Sequence, residues 1–398
     1  MGLSSREVTP QLTHALIHLV AEVRSFKRAE TTVHTVLGQT VSASTIRRLA
    51  NEVGQEIASQ EQCVQRADLK QAVVPEVAIA SCDGGRIRTR KPGGGRGVRL
   101  SGENGWRETK NASFERMAPN ADHLSGVDPC PTLPTSFRVA RKVANIAEKP
   151  APNLGGSNAD ELHKRVVYKG PHRILRTAVS SMACSDKFGQ MMKREALRRR
   201  FYEASVRAFL GDGLHWNWAV WKKYFPTFVP ILDFIHAIQY VFNAAMAIHP
   251  ASDADGWAMY VRFVTLCWQG NVESVIEELT ATCRDRGMAP EDRVADDDPR
   301  KPIHDAIRYL NNNKKRMDYP AYRRQGLPVT SAPMESLIKQ INMRVKGTEM
   351  FWEDPSGAEA ILHIRAAALS DDGRLGEYLA RRAGCPFQRR TTQATIAA

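Results

Sequence analysis

The sequence predicts a mixed α/β protein, with a sheet-bearing core preceded by a helical region and interrupted by an all-helical stretch. Three observations carry that prediction. Short apolar segments near residues 77–82, 208–210 and 229–234 have the length and composition of strands covered on both faces. Residues 10–62 and 250–325 instead repeat their apolar side chains at helical spacing. At 398 residues the chain exceeds what one core usually supports, so roughly two or three structural units are expected.

Composition narrows the class. Apolar residues make up 42% and charged residues 25%, as in ordinary globular domains. No apolar run approaches the roughly 20 residues of a bilayer span. The longest, Phe225 to Ile248, is broken by Asp233, His236, Gln239 and Asn243. The opening MGLSSREVTP lacks the charged-then-apolar order of a signal peptide, so no membrane association is expected and a reducing cytoplasm is the default. The seven cysteines are scattered without a CxxC, which argues against a zinc ribbon or a disulfide scaffold.

A net charge of +13 points to a polyanionic partner, nucleic acid first, although a merely basic soluble protein has the same count. The basic residues are grouped. One group is Arg86, Arg88, Arg90, Lys91, Arg96 and Arg99; a second is Lys193, Arg194, Arg198, Arg199 and Arg200; a third is Lys314, Lys315, Arg316, Arg323 and Arg324. Such local density suits phosphate neutralisation.

In the N-terminal region, Leu12, Ile17 and Val20 mark one amphipathic helix. Ile46, Leu49, Val53 and Ile57 mark another, capped by Ser42 or Ser44 after a turn at Leu37-Gly38. Thr45, Arg47 and Arg48 lie off that stripe. The pattern fits a DNA-reading helix-turn-helix and an ordinary helical hairpin equally. From Val73 the period changes to two. A strand is expected to end at Asp83-Gly84-Gly85, with Arg86, Arg88 and Arg90 alternating on a second strand, KPGGGRG as its hairpin tip, and Trp106 to Phe114 as a third. KPGGGRG lacks the Gly-Lys-Ser/Thr ending of a phosphate-binding loop. Residues 118–160, rich in Pro, Asn, Gly and Ser, read as a linker or surface excursion. Residues 186–207 read as a basic helix, a helix follows from about His236, and one more opens after Val329. The tail after Cys385 is expected to lack order.

Asp83 and Asp212 share a context. Each closes a short apolar segment and precedes glycine, which lets a bulky ligand approach a carboxylate whose direction a strand fixes. Magnesium takes hard oxygen ligands, and two such ions can activate an attacking oxygen and stabilise a leaving one. Asp-Gly is also a common turn pair. Glu335 is a third candidate. With Lys339, Asn342 and Lys346 it lines one stripe of a helix whose other face carries Leu337, Ile338, Ile341 and Val345. That stripe suits metal and phosphate, and equally a solvated face with an i,i+4 ion pair. Asp233 and His236 have the spacing to meet at a strand-to-helix junction, in a metal role or a structural hydrogen bond. His215 suits a DNA contact or local packing, while Trp216, Trp218 and Trp221 read as packing residues.

The order CDGGRIRTR, WRETK, FLGDGLHWNW, FPTFVPILDFIHAIQYV and RMDYPAYRRQGLPVTSAPMESLIKQINMRVKGTEMFW resembles the insertion-sequence transposases of the ISKra type, relatives of the Mutator-like group. The resembling segments run from about residue 75 to 366. The resemblance implies an RNase H-like core with an Asp-Asp-Glu metal site formed by Asp83, Asp212 and Glu335, with Asp233 and His236 as an accessory signature. It also implies Mg2+, or Mn2+, as cofactor, double-stranded DNA at transposon ends and target as partner, and homo-oligomeric assembly. Relatives often carry Gly-Ser-Gly where Thr330-Ser331-Ala332 stands here. On this reading 1–72 is the DNA-binding region, with Arg47 and Arg48, and 73–245 the first part of the core. Residues 246–327 are a helical insertion, 328–370 return to the core with Glu335, and 371–398 form a tail. Arg86, Arg88, Lys339 and Lys346 would neutralise DNA backbone. The competing readings are a non-catalytic DNA-binding protein on the same fold, another RNase H-like nuclease such as a junction resolvase, and a helical protein-binding adaptor.

Overall fold

The alternation that starts at Val77 forms a strand, but the strand does not stop at the glycines. In the computed structural model β1 runs from Val77 to Arg88 without a break. Its neighbour β2 (Trp106–Ala118) continues to pair opposite them, with Lys110 facing Gly84 and Thr109 facing Gly85. Arg86 and Arg88 therefore belong to β1, and the separate second strand expected there does not form. The structure describes residues 8–63, 72–90, 105–119, 127–131, 170–289, 293–347 and 350–382. The hairpin tip KPGGGRG, most of the 118–160 stretch and the tail after Cys385 lie outside these.

The strand expected as the third, Trp106 to Phe114, is the second along the chain. β2 reaches Ala118 rather than Phe114, and its other partner is β3 (His172–Ser181). β4 (Val206–Gly211) and β5 (Val229–Leu232) add in parallel on the other side of β1. The five strands make one mixed sheet in the order β3-β2-β1-β4-β5.

The helical N-terminus comprises α1 (Pro10–Glu22), α2 (Phe26–Leu37) and α3 (Ala43–Gln60). Side chains of Thr9, Ser25 and Ser42 cap the three in turn by accepting backbone N–H groups. Gly38, at φ 62°, ends α2 in the left-handed conformation that glycine tolerates. The basic stretch after β3 is shorter than expected. α4 (Ser185–Arg198) ends at a left-handed Arg200, and a turn over Phe201–Glu203 leads into β4. After α5 (His215–Tyr224) and β5 come α6 (Phe234–Ile248), α7 (Asp253–Trp268), α8 (Val272–Asp285), α9 (Lys301–Asn313) and α10 (Tyr319–Arg324). Where one last helix was expected there are three: α11 (Ala332–Val345), α12 (Pro355–Ala368) and α13 (Arg374–Arg381).

Strand alternation sorts these helices onto two faces. Ala78, Ala80, Cys82, Phe114, Val179 and Phe209 pack against Phe188 and Met192 of α4 and Val220 of α5. On the other face Val77, Ile79, Ala208 and Leu210 share a core with α6 through α10. Further along that second face, Ile87 and Ala178 join α11, α12, α13 and the N-terminal helices. The N-terminal helices thus have no core of their own, and the helices of 246–327 pack directly on α6.

Much of the grouped basic charge is used inside the fold. Arg194 and Arg198 donate to the carbonyl of Glu61 at 3.1 and 2.7 Å, satisfying the C-terminal end of α3. Arg199 and Arg374 converge with Arg198 on the buried Glu195. Burial alone would raise that carboxyl; the guanidinium groups outweigh it and hold it well below the usual carboxylate range. Arg316 stacks 4.3 Å over Trp218, and Arg323 is buried against Trp268 and the Asp128 carboxylate.

The closest backbone approach in the N-terminal region is at Gly54, where an added Cβ would lie 2.4 Å from the Ala360 carbonyl oxygen. Gly54→Ala is expected to wedge α3 off α12 and destabilise the protein by about 1–3 kcal/mol in urea denaturation, despite the better helix propensity of alanine. A stabilised variant would show that the two helices are not tightly docked.

Candidate functional site

Where β1 and β4 run in parallel, Ser81 lies opposite Leu210. Two residues further on stand Asp83, on β1, and Asp212, one residue past the end of β4. The paired strands are roughly 4.8 Å apart, which brings these carboxylates close enough for their charges to interact. β5 extends the row. Leu232 pairs with Gly211, and the next residue, Asp233, donates its backbone N–H to the Gly211 carbonyl at 2.9 Å. Three aspartates, one on β1 and two just past the ends of β4 and β5, therefore stand side by side.

They are not equivalent. Asp233 is fully buried. Its carboxylate takes the Ser331 N–H at 2.9 Å and the Ile235 N–H at 3.4 Å, and lies 2.5 Å from His236 Nδ1. Asp83 and Asp212 are half-buried and reachable from solvent. Asp83 Oδ1 takes the Gly84 N–H at 2.5 Å. Asp212 Oδ1 takes Asn217 Nδ2 at 2.6 Å and the Leu214 N–H at 3.0 Å. Asn217 is buried, and its amide also reaches the Cys82 carbonyl at 3.4 Å, tying the two strand ends together. From α9, the Tyr309 hydroxyl donates to the Asp212 carbonyl at 2.6 Å while its ring stacks on Tyr240, centroids 3.9 Å apart. Gly213, at φ 97°, passes so close to that ring that a Cβ would sit 2.6 Å from it.

The electrostatics follow from this crowding. Burial and then the neighbouring Asp212 charge push the Asp83 carboxyl up to about 7. Burial also raises Asp212, against the Leu214 N–H and the charge of His236. For His236, burial works against the charged ring, but the hydrogen bond to Asp233 and the charges of Asp233, Asp212 and Asp83 outweigh it and hold the imidazole up at about 9. The charged form of the His236 ring is thus favoured beside the carboxylates.

Glu335 lies on the same face of the sheet but outside this cluster. α11 packs Met334, Leu337, Ile341 and Val345 against the core that contains Ile87, four residues along β1 from Asp83 and on its side. Its polar stripe borders the strand: Asn342 Oδ1 is 3.9 Å from where a Cβ on Gly85 would be. Glu335 is half-buried, with its Oε2 3.6 Å from Lys339 Nζ. Among the described residues, no three His, Cys, Asp or Glu side chains come close enough together to hold a metal ion. Asp83 and Asp212 alone still suit magnesium or manganese, which take few protein carboxylates and complete their shell with water and phosphate oxygens. The crowding that raises both carboxyls is what a divalent cation would relieve.

The predicted cationic positions differ in setting. Arg86 and Lys339 are exposed. Arg88 lies 4.6 Å and Lys346 5.3 Å from the centre of the Trp106 ring. Arg48 is exposed at the start of α3, and Arg47 reaches Glu353 at 3.2 Å. His215 is exposed at the start of α5, and the rings of Trp216, Trp218 and Trp221 pack against the core under α5. Asn217 and Tyr309 were not foreseen: Asn217 follows Asp212 by five residues inside FLGDGLHWNW, and Tyr309 carries no local signal. No family model and no curated protein matches the chain.

Because the folded state holds the Asp83 carboxyl protonated further than the unfolded chain does, its contribution to stability is present below about pH 4 and is lost as pH rises toward 7. In metal-free buffer, Asp83→Asn is expected to remove this loss and to be the more stable protein at pH 8 by roughly 1–2 kcal/mol, after discounting for solvent at a half-buried group. Urea denaturation at pH 5 and pH 8 measures it. Parallel pH dependence in the two proteins would mean that the pair is not strained.

Proposed function

We propose that the chain is a DNA transposase with an RNase H-like catalytic core and an Asp-Asp-Glu site. One observation carries the reading: Asp83 on β1 neighbours Asp212 just past the end of the adjacent parallel strand, and the helix that holds Glu335 in its first turn packs on that same face. The sheet order β3-β2-β1-β4-β5, antiparallel on one side of β1 and parallel on the other, supports the RNase H-like core. The position at the ends of parallel strands is where open sheets commonly bind ligands. The net charge of +13 supports a polyanionic substrate.

Asp83 and Asp212 would hold Mg2+ or Mn2+, with Glu335 reaching the second side of the site. Bound there, the cations supply activation of an oxygen nucleophile and neutralisation of charge on the phosphate. The chain's own residues bind and orient. Gly85, on the same face of β1 as Asp83, keeps the strand tight against β2, since a Cβ there would lie 2.6 Å from the Thr109 hydroxyl oxygen and 3.2 Å from Asn111 Nδ2. Lys339 on α11 would offset phosphate charge on that face, and Arg86, Arg88 and Lys346 would do so beyond it, since Arg86 and Arg88 alternate with Asp83 and project from the other face of β1. His236 adds a positive charge beside the carboxylates. The same arrangement serves hydrolysis at an element end and attack by the freed 3′-hydroxyl on target DNA, since both are substitutions at a phosphodiester. Arg47 and Arg48, exposed at the start of α3, are proposed to contact DNA, and self-association on paired ends goes with this function.

Asp83→Asn and Asp212→Asn are each expected to lower Mg2+-dependent cleavage of DNA carrying the gene's flanking sequences by about 10³-fold or more, and to weaken Mn2+ binding measured by electron paramagnetic resonance. Undiminished cleavage by Asp83→Asn would overturn the catalytic assignment. Cleavage without joining of a supplied 3′-hydroxyl end would make the protein a nuclease instead.

A further inference from the structure

The chain leaves the sheet at Asp233 and returns to it at 329–331, with α6 to α10 in between. The two crossings are bonded to each other. Phe234 donates its N–H to the Val329 carbonyl at 2.9 Å, and Ser331 donates its N–H to Asp233 Oδ1 at 2.9 Å, across 98 positions in sequence. A buried carboxylate is costly unless its oxygens are satisfied and its charge is paired. Here one oxygen takes the Ser331 and Ile235 amides and the other takes His236 Nδ1.

Ser331 passes the constraint on. It precedes the first turn of α11, and its carbonyl accepts the Met334 and Glu335 amides at 2.8 and 3.1 Å. The Glu335 amide is therefore two hydrogen bonds from the Asp233 carboxylate. Asp233 in turn is bonded through its own N–H to Gly211, next to Asp212. An unbroken path runs from Asp212 through Asp233 and Ser331 to Glu335.

We propose that Asp233, with His236 as its counter-ion, is a positioning residue. It fixes the start of α11, and with it Glu335, relative to Asp83 and Asp212, whatever the intervening helices do. This rests on the catalytic reading of Glu335 given above.

The test is a double-mutant cycle of Asp233→Ala and Glu335→Gln in the full chain, read by DNA cleavage and by Mn2+ affinity without DNA. Thermal melting of each variant controls for folding. Alone, Asp233→Ala is expected to slow cleavage by about 10²-fold, the cost of a small misplacement. In the Glu335→Gln background it should cost no more than about threefold further, and its effect on Mn2+ affinity should shrink likewise. Asp233→Asn, which keeps an acceptor for the Ser331 amide, should recover most of the loss. Should Asp233→Ala not fold, Asp233→Glu replaces it, because it keeps the charge while moving the acceptor by one methylene; the same non-additivity is expected. Additive losses with an impaired Glu335→Gln sink this inference alone. If Glu335→Gln cleaves as the wild type does, the catalytic reading of Glu335 fails and this inference fails with it.

Discussion

Three aspartates in a row across β1, β4 and β5 repel one another, and the way that repulsion is contained organises the centre of the molecule. At strand spacing, two adjacent charges cost on the order of 3 kcal/mol at an effective dielectric near 20. The row is compensated unevenly. Asp233 has a cation and two amides. Asp212 has the Asn217 amide and the Leu214 N–H. Asp83 accepts the Gly84 N–H and is the member pushed up to about 7. The least compensated carboxylate is thus a solvent-reachable one. An added cation gains most at such a place, which is why the strain reads as a property of a binding site rather than as a packing defect.

Charge elsewhere follows a different logic. The excess of positive residues is real, but a run of arginines in sequence does not say where the guanidinium groups go. Arg194 and Arg198 close the end of α3, and Arg198 and Arg199 flank Glu195, which joins α4 to Thr177 of β3 and to Arg374 at the start of α13. Those residues hold the N-terminal and C-terminal helices onto the sheet. The charges left exposed on the elements that border the carboxylates are fewer: Arg86 on the opposite face of β1, Lys339 on α11 and Lys346 just past its end. If the molecule binds DNA at this face, a small number of contacts must do it, and the total charge overstates them.

Several elements were legible because their signals are local. Ser42 caps α3 and Gly38 ends α2 as the residue types foretell. The apolar stripe of α11 is buried as its period demands, with Ile338 at its edge. Asp83 and Asp212 were legible as a pair because both end apolar runs before glycine. What escaped depends on partners far along the chain. β3 is held by β2 across a long intervening stretch, and nothing in HRILRTAVSS announces that pairing. The glycines after Asp83 read as a stop, yet β2 supplies hydrogen bonds past them and the strand goes on. α2 has only Ala29 and Val33 buried, too little for a visible stripe. Tyr309 reaches Asp212 from a helix almost a hundred residues away, a contact that no window of sequence contains.

The helices between β5 and α11 raise a mechanical question that the contacts answer in part. They share one continuous core with the sheet, so they are not a separate appendage. Their two ends are bonded together at the neck, which shields the start of α11 from displacement in the helices themselves. Tyr309 makes the opposite connection: through the Asp212 carbonyl and the tight approach to Gly213, it ties α9 to the loop that carries the second carboxylate. Glu335 and Asp212 therefore answer to different parts of the same helical unit. A shift of α9 would move the Asp212 loop while leaving the Glu335 helix anchored at Asp233. The relative position of the acidic groups thus depends on one buried carboxylate and one phenol as well as on the packing of α11 against the sheet.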